Sequence, residues 1–184
     1  MQGLLQFIFF KYLQNESLDY LYECQKILSI KFKKALYQSL NYLSIEGIKL
    51  LLEQPDITTV KGRRDLTLLA LMYDSGARVQ EIIDLTPSML RLNKPSTIKI
   101  IGKGNKARIV PMLDGQTDHL KNYLKEHRLN EPFANMYPLF FNSRKEKLTR
   151  AGVNHIVRKY SKAARKENKT LVPEKIGPAL SQTL

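Results

Sequence analysis

The spacing of apolar residues changes twice along the middle of the chain, and each change marks an element. From Leu66 to Tyr73 nearly every position is apolar (Leu66, Leu68, Leu69, Ala70, Leu71, Met72, Tyr73). A helix apolar almost all round belongs at the centre of a core. Gly76 can adopt the left-handed conformation that ends it. A second helix restarts at once, with Arg78 as its first residue and Glu81 one turn on, near enough to touch. Val79, Ile82 and Ile83 form its inner side. Arg78 follows the buried helix after only two residues, which predicts a place close to the core. Beyond the turn Thr86-Pro87-Ser88 the period falls to two. Apolar residues alternate on both sides of Gly102-Lys103-Gly104-Asn105, predicting a β-hairpin with Lys103 at its tip.

The remaining pattern is helical. Residues 1 to about 40 carry patchy apolar faces: Leu4, Phe7 and Ile8 on one, and Leu18, Leu21, Tyr22 and Leu28 on another. Lys26 to Lys34 reads as an extended linker. Ser44 is a candidate N-cap for Ile45–Glu53, with Ile48, Leu51 and Leu52 facing inward. Lys61, Arg63 and Arg64 precede Asp65 at what looks like a helix start, where cations oppose the helix dipole and hint at an external anion. Between Gln116 and Leu129, Leu120, Tyr123, Leu124 and His127 share a face. Leu139-Phe140-Phe141 reads as core. From Thr149 to Glu167, Val153, Ile156, Val157, Tyr160, Ala163 and Ala164 form an apolar face. Arg158, Lys162, Arg165, Lys166 and Lys169 form the opposite one. The fold class expected is mainly α with a small antiparallel β-hairpin or sheet.

Composition narrows the partners. Apolar residues make up 43 % of 184, enough for a packed core. The formal net charge is +13. Such a charge on a folded domain favours a polyanion, with nucleic acid ahead of an anionic membrane surface or a merely basic soluble domain. Cys24 is the single cysteine, so no internal disulfide forms, which fits a reducing, cytoplasmic location. No apolar run approaches the roughly twenty residues of a membrane span.

Several chemistries drop out. Gly102 to Lys106 lacks the Gly-Lys-Ser/Thr spacing of a P-loop. No Cys/His cluster suits zinc, and His119 and His127 read as ordinary helix residues. No Gly-x-Ser-x-Gly elbow occurs. What remains is Arg78, Glu81 and Lys103 on a basic scaffold. Arginine matches phosphate with a bidentate fork, and a hairpin lysine can give a proton to a leaving oxygen. Together they point to phosphoryl transfer on a nucleic-acid backbone.

Asp74-Ser-Gly-Ala-Arg-Val-Gln-Glu-Ile-Ile-Asp-Leu85 and Ile100-Ile-Gly-Lys-Gly-Asn-Lys-Ala-Arg-Ile-Val-Pro111, in this order and spacing, resemble the tyrosine recombinase (phage integrase) family. The likeness runs from about Leu43 to Leu171. It implies a partial catalytic domain at 41–184, after residues 1–40 that look like the tail of the family's N-terminal helical DNA-binding domain and its linker. It implies attack by a tyrosine on a DNA phosphodiester, a 3′-phosphotyrosyl intermediate, and no metal or nucleotide cofactor. By motif position Arg78 is the first catalytic arginine, Glu81 the acid that supports it, and Lys103 the hairpin lysine that protonates the 5′ oxygen. Lys106 and Arg108 are expected to touch the DNA backbone, with Arg63, Arg64, Arg158, Lys162, Arg165 and Lys166 as further contacts. The partners implied are duplex DNA and, in a synaptic tetramer, other recombinase protomers.

The chain departs from the family after Val172-Pro-Glu-Lys-Ile176. There the family carries His-x-x-Arg, then a His or Trp and the nucleophilic Tyr; here Gly177-Pro-Ala-Leu-Ser-Gln-Thr-Leu184 follows. Tyr160 and Tyr137 stand elsewhere and read as core and loop aromatics. Codons for residues 178–184, read one nucleotide later, can spell a His-x-x-Arg box, so a frameshift of an intact recombinase is the expectation for the tail. Two functions stay open: part of a site-specific recombinase that is inactive alone, or a DNA-binding or decoy protein that uses the fold without chemistry. A basic RNA-binding domain is a weaker third.

Overall fold

The computed structural model describes residues 2–16, 18–29 and 43–172. The chain divides into two units, Met1–Ser39 and Leu40–Leu184. In the first, α1 (Gln2–Glu16) packs on α2 (Leu21–Leu28). Cys24 is buried, while Ile8, Phe9, Tyr12 and Tyr22 are exposed. Lys26 to Leu28 therefore lie in a helix and not in an extended linker. Residues 30–34 of that stretch, the side chains of Leu4, Phe7 and Leu18, and residues 177–184 lie outside the described residues.

The second unit is mainly helical with one small antiparallel sheet. Helix α3 (Ile45–Glu53) starts where Ser44 Oγ accepts the Gly47 N–H at 3.1 Å. Helix α4 (Val60–Ser75) starts five residues earlier than the charge pattern indicated, because Thr59 Oγ1 caps the Gly62 N–H at 3.0 Å. Gly62 is required there: a Cβ would lie 1.9 Å from the Asp56 carbonyl oxygen. Asp65 thus sits in the second turn and is fully buried; it does not sit at the helix end offsetting a dipole. Leu68, Leu69, Leu71 and Met72 are fully buried in the core of this unit.

Gly76 ends α4 in the left-handed conformation (φ 60°, ψ 20°), and α5 (Val79–Ile83) follows with Arg78 as its N-cap. The sheet holds β1 (Leu90–Arg91), β2 (Thr97–Ile101) and β3 (Ala107–Pro111) in that order. Strand β1 is an addition to the expected hairpin. The register pairs Ile98 with Val110 and Ile100 with Arg108. Ile98 and Ile100 are buried, while Ile109 on the other face is exposed. Helix α6 (Asp114–Glu126) packs on α4, and α7 (Arg150–Glu167) packs on α3 and α5. The inner face of α7 buries Val153, Ile156, Val157, Tyr160 and Ala164.

Candidate functional site

The abrupt turn at Gly76 places Arg78 and Glu81 at the entrance to α5. The Glu81 carboxylate reaches back to the helix start, accepting the Arg78 backbone N–H at 3.0 Å and Arg78 Nη1 at 3.2 Å. Strand β3 brings a second arginine to the same group. Arg108 donates through Nη2 at 2.7 Å and Nη1 at 3.2 Å, the two-pronged geometry that suits a guanidinium to a carboxylate. The Glu81 side chain is 5 % exposed, Arg108 40 % and Arg78 78 %. The hydrogen bonds and charge of Arg108, with the bonds from Arg78, outweigh burial and hold the Glu81 carboxyl down at about 2.

Arg78 departs from the place the sequence predicted. Its backbone lies beside the core, but its guanidinium is largely in solvent, and the buried member of the pair is Glu81. Among the described residues, Nε and Nη2 of Arg78 have no hydrogen-bond partner.

The hairpin lies against this carboxylate. A Cβ on Gly102 would stand 3.2 Å from Glu81 Oε1. The Gly102 N–H donates to the Lys106 carbonyl at 2.9 Å, closing the tip. Gly104 (φ 74°) and Asn105 (φ 57°) make the turn in left-handed backbone, which glycine and asparagine tolerate best. Lys103 and Lys106 are exposed on it. An open cleft of about 300 Å³ runs between the tip and α5, lined by Glu81, Asp84, Met89, Ile101, Gly102 and Asn105.

Further polar links fasten α5 through Gln80 and Asp84. Lys147 Nζ donates to Asp84, Gln80 Nε2 donates to both Asp84 oxygens, and Arg150 Nε donates to Gln80 Oε1 at 2.7 Å.

The other predicted cations lie apart from this site. Arg63 and Arg64 are near the far end of α4, about 20 Å away at the helical rise. Arg63 pairs with Glu126 and donates to the carbonyls of Ile57 and Thr58. Arg64, only 11 % exposed, pairs with Asp65 and donates to the Phe141 carbonyl at 3.0 Å. Internal acceptors thus engage Arg63 and Arg64, while Lys61 is exposed. On α7, Arg158, Lys162 and Lys166 are exposed, whereas Arg165 is half-buried and donates to the Val172 carbonyl at 3.2 Å.

The tyrosines keep the roles the sequence assigned. The Tyr160 hydroxyl donates to Asp65 Oδ2 at 2.9 Å; burial and the Asp65 charge push its pKa up. Tyr123 donates to the Leu139 carbonyl at 3.0 Å, and Tyr137 is exposed beside Phe133. Sequence reasoning missed Arg108 as a partner of Glu81 and missed the Arg64–Asp65–Tyr160 chain. Among the described residues, no three of His, Cys, Asp and Glu converge as metal ligands, and no helix is long and apolar enough to cross a membrane.

Residues 41–178 match the sequence profile of the phage integrase family. Tyrosine recombinase XerC of Thermodesulfovibrio yellowstonii is 34 % identical over 174 residues, covering 92 % of this chain and 54 % of that protein. Tyrosine recombinase XerD of Staphylococcus haemolyticus is 37 % identical over 134 residues, covering 71 % and 44 %. Among solved structures, XerH site-specific recombinase bound to palindromic difH substrate, in a post-cleavage complex, superposes with a TM-score of 0.66 at 25 % identity over 83 % of this chain and 44 % of that one. The chain spans about half the length of these curated relatives.

Proposed function

The chain belongs to the phage integrase family, and from that premise we propose that it binds duplex DNA and grips one phosphodiester between Arg78 and Lys103. The observation that carries this reading is the Glu81 carboxylate. It holds the start of α5 and the hairpin to one point, so an exposed arginine on one side and a lysine-bearing tip on the other both leave from a single buried carboxylate. Arg78 neutralises the phosphate oxygens. Lys103 donates the proton as the bond from phosphorus to the 5′ oxygen breaks. The bond that forms, from a tyrosine hydroxyl to phosphorus, needs a nucleophile other than Tyr160 or Tyr123, whose hydroxyls are committed to Asp65 and Leu139.

Lys106 and the outer face of α7, through Arg158, Lys162 and Lys166, supply further backbone contacts. Arg63, Arg64 and Arg165 are left out of the interface because internal acceptors hold them. The family match begins at residue 41, which supports reading residues 1–40 as the tail of a preceding helical DNA-binding domain. A cytoplasmic location and assembly with other protomers on DNA belong to the same proposal.

Competition between duplex DNA and duplex RNA of one sequence for a labelled DNA duplex tests it. Duplex DNA should compete better, and Arg78→Ala or Lys103→Ala should each weaken DNA binding about tenfold, the loss of one charge-assisted contact. Stronger competition by RNA, or an Arg78→Ala variant with unchanged affinity, overturns the reading.

A further inference from the structure

Two arginines share one buried carboxylate, and they share it unequally. Arg108 holds both Glu81 oxygens and makes the shorter contact, at 2.7 Å. Arg78 has a single side-chain bond, at 3.2 Å, and remains 78 % exposed. Arg108 can do this because of the hairpin register. Its partner across the ladder is buried Ile100, so its stem lies on the inner face of β3, while exposed Ile109 lies on the outer face. Gly102 on the same hairpin lets the backbone pass within contact distance of Glu81 Oε1.

We propose that Arg108 is a positioning residue that occupies Glu81 from strand β3, leaving the Arg78 fork available to an external phosphate. This rests on the reading that Arg78 grips phosphate. A buried carboxylate without its partner is costly, so it draws in the nearest cation. With Arg108 gone, that cation is Arg78. Its guanidinium then turns its remaining donors onto Glu81 and away from solvent. Arg108 therefore aids DNA binding through Arg78 and not by touching DNA itself. A lysine at the position supplies charge without the planar fork and does the task in part.

The test compares Arg108→Met, which keeps an apolar stem, with Arg108→Lys, Arg78→Ala and the Arg78→Ala/Arg108→Met double variant, each in the full chain. Duplex DNA affinity is read by fluorescence anisotropy, and the rotation of the Arg78 Nη groups by nitrogen NMR without DNA. Arg108→Met and Arg78→Ala should each weaken binding about tenfold, and the double variant no more than about twofold beyond Arg78→Ala, the non-additivity of residues acting through one another. Arg108→Lys should recover part of the loss. Arg78 Nη rotation should slow in Arg108→Met. A double variant weakened about a hundredfold, the product of the single losses, means that Arg108 contacts DNA independently and overturns the proposal. So does unchanged Arg78 rotation. If Arg78→Ala leaves affinity intact while Arg78 rotation still slows in Arg108→Met, the phosphate reading falls and the competition for Glu81 stands. Where Arg108→Met gives no cooperative thermal melt, Arg108→Lys carries the same comparisons.

Discussion

Glu81 is charged at any ordinary pH because two guanidiniums and a backbone N–H surround it. Its folded-state pKa, about 2, lies below the ordinary 4.5. A depressed carboxyl contributes stability that is present above the unfolded pKa and is lost as pH falls through 4.5 towards 2. Glu81→Gln should therefore lower stability at pH 7 by about 2 kcal/mol, after discounting for exposed partners. It should also flatten the loss between pH 5 and 2; urea melts across that range measure both. Asp65 makes a second buried node with Arg64 and Tyr160. Tyr160→Phe removes one hydrogen bond and should cost about 1 kcal/mol. Asp65→Ala strands Arg64 and should cost about 3 kcal/mol or more; equal costs would argue against the charge pair. The Arg78–Glu81 contact was legible in the sequence because it spans one helical turn. Arg108 lies 27 residues from Glu81, and Tyr160 lies 95 from Asp65. Those meetings depend on sheet register and helix packing, which local spacing does not encode. The sequence Ala107-Arg-Ile-Val110 allows either face of β3 to point inward, so Arg108 reads equally well as a surface cation.

At the scale of elements, strong periodicity carried the reading and weak signals did not. The all-apolar run placed α4, alternation placed the hairpin, and the two-faced pattern placed α7. Strand β1 has two residues, too few to show any period. The charge pattern alone puts the start of α4 at Asp65, whereas the Thr59 cap and the close pass of Gly62 over Asp56 set it at Val60. The polar face of α7 was legible as a stripe, but its edge was not: Arg165 turns to the Val172 carbonyl, a contact beyond the helix. This distinction predicts different behaviour along one face. Replacing Arg158, Lys162 and Lys166 together by Ala should reduce the magnitude of the slope of log affinity against log salt by about 2 to 3 on duplex DNA, roughly one per lost phosphate contact. Arg165→Ala should leave that slope unchanged and lower the melting temperature. At the hairpin tip, Gly104→Ala should cost about 1 kcal/mol, because φ is 74° and no neighbouring atom interferes; a neutral result in thermal melts would contradict the left-handed turn.

For the whole molecule, the +13 charge and the family support the proposal that duplex DNA is the partner. Incubation with a nicked duplex should yield no covalent DNA adduct on a denaturing gel, because the hydroxyls of Tyr160 and Tyr123 are buried and hydrogen-bonded and the exposed Tyr137 lies on the loop between α6 and α7, not in the family's nucleophile position. The fold class was legible from the balance of periods. The way in which Glu81 joins α5 to the hairpin was not, since it requires two elements to be packed first. A salt titration of duplex binding, run on the unaltered chain and on Arg78→Ala/Lys103→Ala, shows whether Arg78 and Lys103 together grip a DNA phosphate. Affinity of the unaltered chain should fall steeply as salt rises, and the double variant should bind more weakly with a slope shallower by about 2. An affinity indifferent to salt, or a double variant with the same affinity and slope as the unaltered chain, would contradict the account.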